Sequence, residues 1–98
     1  EKSVIHYEKA RALAPRNTTI LFNLAGAFVS AGKNPEARDA YAELIKLSAT
    51  EWDAYFELGK LLVSMGDSVG AKKTLTELLA KNPQYPQRAE VEKILAGL

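Results

Sequence analysis

The stretch YFELGKLLVSMGD, residues 55–67, carries the strongest structural signal in the chain. Its aliphatic residues recur three and four positions apart, which is the spacing of one face of an α-helix. Gly59 stands in the middle of this helix, where glycine costs about 1 kcal/mol relative to alanine. Phe56 and Val63 fall away from the aliphatic stripe, on a face that is usually polar. The stretch therefore predicts a helix with a close neighbour at Gly59 and an unusual second apolar face.

The overall composition is that of a small soluble domain. The 98 residues allow one domain, and 47% hydrophobic with 26% charged residues is ordinary for a globular protein. Thirteen basic and twelve acidic residues give a net charge of +1, which argues against nucleic acid as the main partner. No apolar run approaches the roughly 20 residues of a membrane span, so we expect no membrane insertion.

The sequence does not identify the cellular compartment of the protein. The chain has no cysteine, so disulfides and thiolate metal sites are excluded and redox chemistry gives no information on compartment. No signal peptide is visible, the first residue is not Met, and residues 1–15 already show helical spacing. We therefore expect a fragment of a longer protein, soluble, with the cytoplasm favoured as its location.

The sequence repeats itself with a period of 34 residues. Repeats of about 20–50 residues indicate supersecondary units that stack on one another, because a single unit cannot bury its apolar face. Strand signals are absent, so we predict an all-α fold of six helices, two per unit. The pairs at this offset are Leu24 and Leu58, Ala25 and Gly59, Phe28 and Leu62, Gly32 and Gly66, Ala37 and Ala71, and Leu44 and Leu78.

Turn and capping residues mark the ends of the predicted helices. Glycine in the left-handed conformation commonly ends a helix, which indicates helix ends at Gly32 and Gly66. Side chains with an oxygen acceptor cap the next helix, and Pro35 suits a first helical position. The expected N-terminal caps are Asn17 or Thr18, Asn34, Thr50 in a capping box with Asp53, and Asp67, and the last helix is expected to start at Pro86.

The period and the residue types resemble the tetratricopeptide repeat, whose pattern is W-x2-L-G-x2-Y, then A-x3-F, then P. The second unit reads Tyr55, Leu58, Gly59, Leu62, Ala71, Leu75 and Pro83, and the first reads Leu21, Leu24, Ala25, Phe28, Ala37, Tyr41 and Ala49. The resemblance implies a right-handed αα-superhelix in a single domain, 1–98. Residues 1–17 would be the second helix of a partial repeat, 18–51 and 52–85 two repeats, and 86–98 a capping helix.

Close packing of two helices explains a glycine inside a helix at position 59. Ala25 and Gly59 lie opposite Ala37 and Ala71, so the two helices of each unit can approach closely, and Gly59→Leu should overpack the core. The predicted core residues are Leu24, Phe28, Ala37, Tyr41 and Leu44 in one layer, and Leu58, Leu62, Ala71, Leu75 and Leu78 in the next.

No residue pattern indicates catalysis, a cofactor or a metal site. His6 is the sole histidine, and the serines have no histidine partner that could activate them as nucleophiles. Glycine-rich phosphate loops are missing, and the acidic residues form no cluster of ligands. We predict a protein that is not an enzyme.

The second apolar face predicts a binding surface for a protein or peptide partner. The resemblance implies that the first helix of each unit lines a concave groove. Phe22 and Val29 recur as Phe56 and Val63 at the 34-residue offset, so an apolar line would run along that groove. The alternative is that the two phenylalanine rings pack between adjacent helices. The predicted contact residues are Phe22, Asn23, Val29, Phe56, Lys60 and Val63.

Two further hypotheses concern the partner. Some family members, heat-shock cochaperones among them, hold a peptide's C-terminal carboxylate with a clamp of basic residues, and Asn23 matches a clamp position. Phe22 and Phe56 stand where lysines would be needed, so we predict that the clamp is absent. The alternative function is self-association or spacing within a larger protein, because Val4, Ile5 and Tyr7 of the first helix would form an uncovered apolar edge.

Overall fold

The computed structural model describes residues 2–98, and this part of the chain consists of six α-helices without a strand, which confirms the predicted all-α fold. Each helix packs against the next one along the chain. The assembly measures 38 × 25 × 19 Å. The helices are α1 (Lys2–Leu13), α2 (Thr18–Ser30), α3 (Asn34–Leu47), α4 (Trp52–Ser64), α5 (Ser68–Lys81) and α6 (Arg88–Ala96).

The turns after α2 and α4 have the same geometry, 34 residues apart. Gly32 and Gly66 take φ angles of +75° and +80°, in the left-handed region that glycine adopts without a steric penalty. The next residue in each turn donates its backbone N–H to a carbonyl five positions earlier, Lys33 to Phe28 at 2.8 Å and Asp67 to Leu62 at 2.9 Å. This is the hydrogen bonding of a Schellman cap, and it starts the second helix of both units in the same way.

Two of the predicted helix caps are confirmed. The Asn17 side chain accepts a hydrogen bond from the backbone N–H of Ile20 at 3.0 Å at the start of α2. The Asp67 side chain accepts one from the backbone N–H of Gly70 at 2.9 Å at the start of α5. Each bond satisfies an amide that has no partner inside the first helical turn.

The other predicted helix starts are wrong. Asn34 is already helical, because the carbonyl of Lys33 accepts the first bond from Ala37 at 3.0 Å. The capping box does not form either, since Asp53 accepts a hydrogen bond from the Tyr85 hydroxyl instead, and α4 begins without a side-chain cap. The last helix begins at Arg88 rather than at Pro86.

All ten predicted core residues are buried, but they divide between layers differently from the prediction. Leu58, Leu62 and Ala71 join the first unit's core, whereas Leu75 and Leu78 join Tyr55, Phe56, Tyr85 and Val91. The reason is that α4 buries residues on two of its faces and so belongs to both layers. The result is two core clusters along the stack of helices, with Ile45 of α3 packed against both.

The first helix packs on this core. Val4 is 2% exposed and Tyr7 packs against the first layer, so the prediction that they form an uncovered edge is wrong; Ile5 alone of the three is exposed. α1 packs on α2, and Arg11 of α1 forms an ion pair with Glu43 of α3.

At the other end, α6 shows a shift of one residue against the 34-residue period. Val91, 33 residues after Leu58, is fully buried among Leu75, Leu78 and Tyr85. Glu92 stands where the period places a leucine, and it is exposed beside Arg88, whose Nε lies 3.6 Å from its Oε2. The shorter spacing keeps the charged residue out of the core.

Candidate peptide-binding groove

A cleft of about 250 Å³ lies between the first helices of the two units, α2 and α4, with α3 behind them. The end of α2 contributes Val29, whose side chain is 42% exposed. Successive turns of α4 form the opposite wall, because residues three and four positions apart share one face of a helix. The lining residues are Val29, Tyr41, Glu57, Lys60, Leu61 and Ser64.

Tyr41 lines the cleft from α3 as a mostly buried ring. Phe22 of α2 packs edge-to-face against it, with ring centroids 5.9 Å apart and planes at 68°. Burial, together with the nearby negative charge of Glu57, raises the pKa of Tyr41 to about 12. The hydroxyl is therefore neutral at ordinary pH, and a neutral phenol can both donate and accept a hydrogen bond.

Lys60 and Glu57 form the polar rim of the cleft. The Nζ atom of Lys60 lies 3.3 Å from Oε2 of Glu57, one turn earlier on α4. The same Nζ lies 4.3 Å from the centroid of the Phe56 ring, which places the ammonium over the aromatic face. Both contacts hold the lysine side chain along the surface of α4, with 41% of it still exposed.

Phe56 departs from the prediction that it faces the groove. The residue is only 5% exposed, because Lys60 covers one part of the ring and Tyr85 packs edge-to-face on it at a centroid distance of 5.8 Å. Tyr85 is held in turn by its hydroxyl, which donates a 2.6 Å hydrogen bond to Oδ1 of Asp53. Burial and this hydrogen bond raise the pKa of Tyr85. Phe56 is thus buried, as in the alternative, but its aromatic partner comes from the segment between α5 and α6.

The structure brings together some of the predicted site residues and separates others. Val29 and Lys60 line the cleft directly, and Phe22 supports it through Tyr41. Asn23 and Val63 are exposed on α2 and α4 but lie outside the lining.

Sequence reasoning placed Tyr41 in the core and did not assign Leu61 to the groove. Both side chains are buried, at 3% and 5% exposure, yet they line the cleft. Their helical spacing identifies them as core residues. The spacing does not indicate which part of a core side chain faces a cleft. A floor of this kind is built by tertiary packing, so no local pattern could have identified it.

The lining of the cleft combines apolar side chains with a few polar groups, a composition that suits binding. Among residues 2–98, no three His, Cys, Asp or Glu side chains lie close enough together to hold a metal ion. Over the same residues, every helix is too short or too polar to cross a bilayer.

Comparison with known proteins agrees with this architecture. Residues 28–96 match the family model described as "Tetratricopeptide repeat". Superkiller protein 3 of Schizosaccharomyces pombe is 27% identical over 79 residues, which are 81% of this chain and 6% of that protein. The chain thus spans a small part of this curated relative's length.

Two solved structures have a similar fold. The TPR domain of Arabidopsis OM64 has a TM-score of 0.85 at 24% identity, over 98% of this chain and 79% of that one. The Yersinia enterocolitica type III secretion chaperone SycD, in complex with a peptide of the translocator YopD, has a TM-score of 0.79 at 14% identity, over 93% and 70%. The family model covers more than half of the chain, and the chain's six described helices form a fold similar to these structures. The chain belongs to the tetratricopeptide repeat family, with the αα-superhelical fold of that family.

Proposed function

We propose that this domain is a non-catalytic protein-interaction module that binds a peptide or helix of a partner protein in the α2–α4 cleft. The observation that carries the proposal is the cleft itself, which has apolar side chains from three helices and a polar rim on one side. Sites of this composition bind an apolar side chain and fix its orientation with a few hydrogen bonds. The solved SycD complex supports the proposal, because a chain of the same fold holds a peptide of another protein.

The contacts follow from the lining residues. An apolar side chain of the ligand would pack against Val29, Leu61 and the Tyr41 ring, while the Tyr41 hydroxyl binds the ligand backbone. The Glu57–Lys60 pair on the rim would bind a polar group of the ligand, since both side chains keep exposed surface.

The remaining predicted residues would contact the ligand beside the α2–α4 cleft or support the residues that line it. Asn23 and Val63 would extend the contact along α2 and α4, because both are exposed on the helices that form the cleft. Phe22 and Phe56 would act indirectly, since Phe22 supports Tyr41 and Phe56 lies beneath Lys60.

Self-association through α1 is less favoured as a function. The burial of Val4 and the packing of Tyr7 leave only scattered aliphatic side chains exposed on this helix.

The experiment is a selection of peptides from a phage-displayed random library, followed by affinity measurements with single-residue variants. Val29→Asp places a charge on the apolar wall, so we expect it to weaken binding of the selected peptides by roughly tenfold or more. Val69→Asp is the matched control, because Val69 is an exposed valine on α5 that lies outside the cleft.

NMR chemical-shift mapping then locates the bound peptide. The proposal predicts perturbed amide signals on α2 and α4. It fails if the selected peptides bind the Val29→Asp variant as they bind the original protein, or if the perturbed signals lie on α5.

A further inference from the structure

A second cleft, of about 360 Å³, lies between α3 and α5, the second helices of the two units. Tyr55 and Leu58 of α4 form its floor and are 1% and 7% exposed. The linings of this cleft and of the α2–α4 cleft have no residue in common, so the two clefts are separate. The lining residues are Ala42, Ile45, Lys46, Tyr55, Leu58, Lys73, Thr74 and Glu77.

The walls of this cleft carry positive charge without a compensating partner. Lys46 stands on α3 and Lys73 on α5, and neither forms an ion pair with any residue in the described part of the chain. Glu77 is the one acidic side chain in the lining, and it is already paired with Lys81, whose Nζ lies 2.8 Å from its Oε2. An apolar floor thus lies between two walls that each present an unpaired ammonium group.

We propose that the α3–α5 cleft binds an acidic amphipathic segment of a second partner protein. An aliphatic or aromatic side chain of that segment packs on Tyr55 and Leu58, and flanking Asp or Glu residues pair with Lys46 and Lys73. The domain would then hold two different proteins, one on each side of α4. This surface is separate from the α2–α4 cleft, so either proposal can fail without the other.

The charge distribution favours a protein segment over other anionic partners. The domain's net charge is only +1, and the α2–α4 side carries Asp53 and Glu57, whereas the lining of this cleft holds two lysines without an ion-pair partner. Nucleic acids and acidic membranes bind best to broad basic surfaces with many phosphate contacts. A cleft with an apolar floor and two separated cations instead complements alternating apolar and acidic side chains.

The test uses a fluorescein-labelled synthetic peptide in which a Leu-Phe pair is flanked on both sides by glutamates, with binding followed by fluorescence anisotropy. We expect binding that weakens as salt is raised, because the flanking contacts are between exposed charges. The double variant Lys46→Gln with Lys73→Gln should lose roughly tenfold or more in affinity. Lys9→Gln, on an exposed part of α1, is the matched control and should bind as the original protein does.

Two further measurements distinguish this proposal from non-specific binding and from binding in the α2–α4 cleft. A peptide with lysines in place of the glutamates should not bind, and Val29→Asp should leave binding of the glutamate peptide unchanged. The proposal is overturned if the double variant binds normally while circular dichroism shows it folded, if the lysine peptide binds equally, or if Val29→Asp removes binding. It is also overturned if the glutamate peptide fails to bind while phosphatidylserine vesicles or a single-stranded oligonucleotide bind through the two lysines.

Discussion

Gly59 of α4 lies directly against Leu75 of α5: a Cβ atom built on the glycine would stand 2.6 Å from Cγ of the leucine. Leu75 is fully buried, so room for a methyl group at position 59 requires a shift of the leucine side chain or of a helix within the core. Overpacking in Gly59→Ala should therefore cost about 1–3 kcal/mol of folding free energy. The higher helix propensity of alanine offsets about 1 kcal/mol of this cost, so we expect a net destabilisation. Urea unfolding followed by circular dichroism measures the net effect.

Gly26 provides the matched control for this prediction. It is also inside a helix, α2, but a Cβ atom built there would have no neighbour within 4 Å. Gly26→Ala should therefore stabilise the domain by up to about 1 kcal/mol, the difference in helix propensity alone. Opposite signs at the two glycines are expected, and equal signs would show that packing against Leu75 does not determine the residue at position 59.

The glycines illustrate what the sequence could predict. The turns at Gly32 and Gly66 agree with the prediction, because backbone sterics and the 34-residue period act locally and leave a direct pattern. The close approach of α5 at Gly59 also agrees, but the side chain that faces the glycine is Leu75 and not the predicted Ala71. The period also predicted the six helices and ten core residues, all of which are buried in the structure.

The candidate site was less predictable, for a physical reason. The period makes Phe22 and Phe56 equivalent, but their neighbours differ. Phe22 packs against Tyr41 within its own unit, whereas Phe56 is covered by Tyr85, which comes from the segment after α5. No local pattern reports a contact over that sequence distance, so the burial of Phe56 could be learned only from the folded chain.

The difference between the two phenylalanines predicts different effects on stability. Phe56 is 5% exposed, so Phe56→Ala should cost about 3–5 kcal/mol through lost burial and a cavity. Phe22 is half-buried, and the same change there should cost clearly less. Thermal and urea unfolding of the two variants tests this order. If both changes left melting unchanged, both rings would have to face the groove and the packing of Phe56 would be contradicted.

Alkaline pH should destabilise the domain through two tyrosines. The pKa of Tyr41 is raised to about 12 and that of Tyr85 is raised as well, from an unfolded value of 10.0. A raised pKa in the folded state means that folding favours the neutral phenol. This contribution is complete below about pH 10 and is lost as pH rises through the folded values. The melting temperature should therefore fall above about pH 10, while the 295 nm absorbance of tyrosinate rises as the domain unfolds.

Tyr85→Phe separates this effect from the deprotonation of lysines. The variant loses the hydrogen bond to Asp53, so it should be less stable at neutral pH by on the order of 1 kcal/mol. Its stability should then depend less on pH in the alkaline range. Tyr7→Phe is the control and should keep the full alkaline dependence, since Tyr7 is partly exposed on α1. Identical alkaline profiles for Tyr85→Phe and the original protein would contradict the role of Tyr85.

The packing of α1 predicts that the domain stays monomeric. Ile5 and Leu13 are its large exposed aliphatic residues, at 54% and 89%, while Val4 is in the core. A specific dimer interface buries on the order of 1,200 Å² or more, which two separate side chains cannot supply. Sedimentation velocity should give a constant monomer coefficient as concentration rises, and Ile5→Glu should not change it. A coefficient that increases with concentration and returns to the monomer value in Ile5→Glu would instead establish self-association through α1.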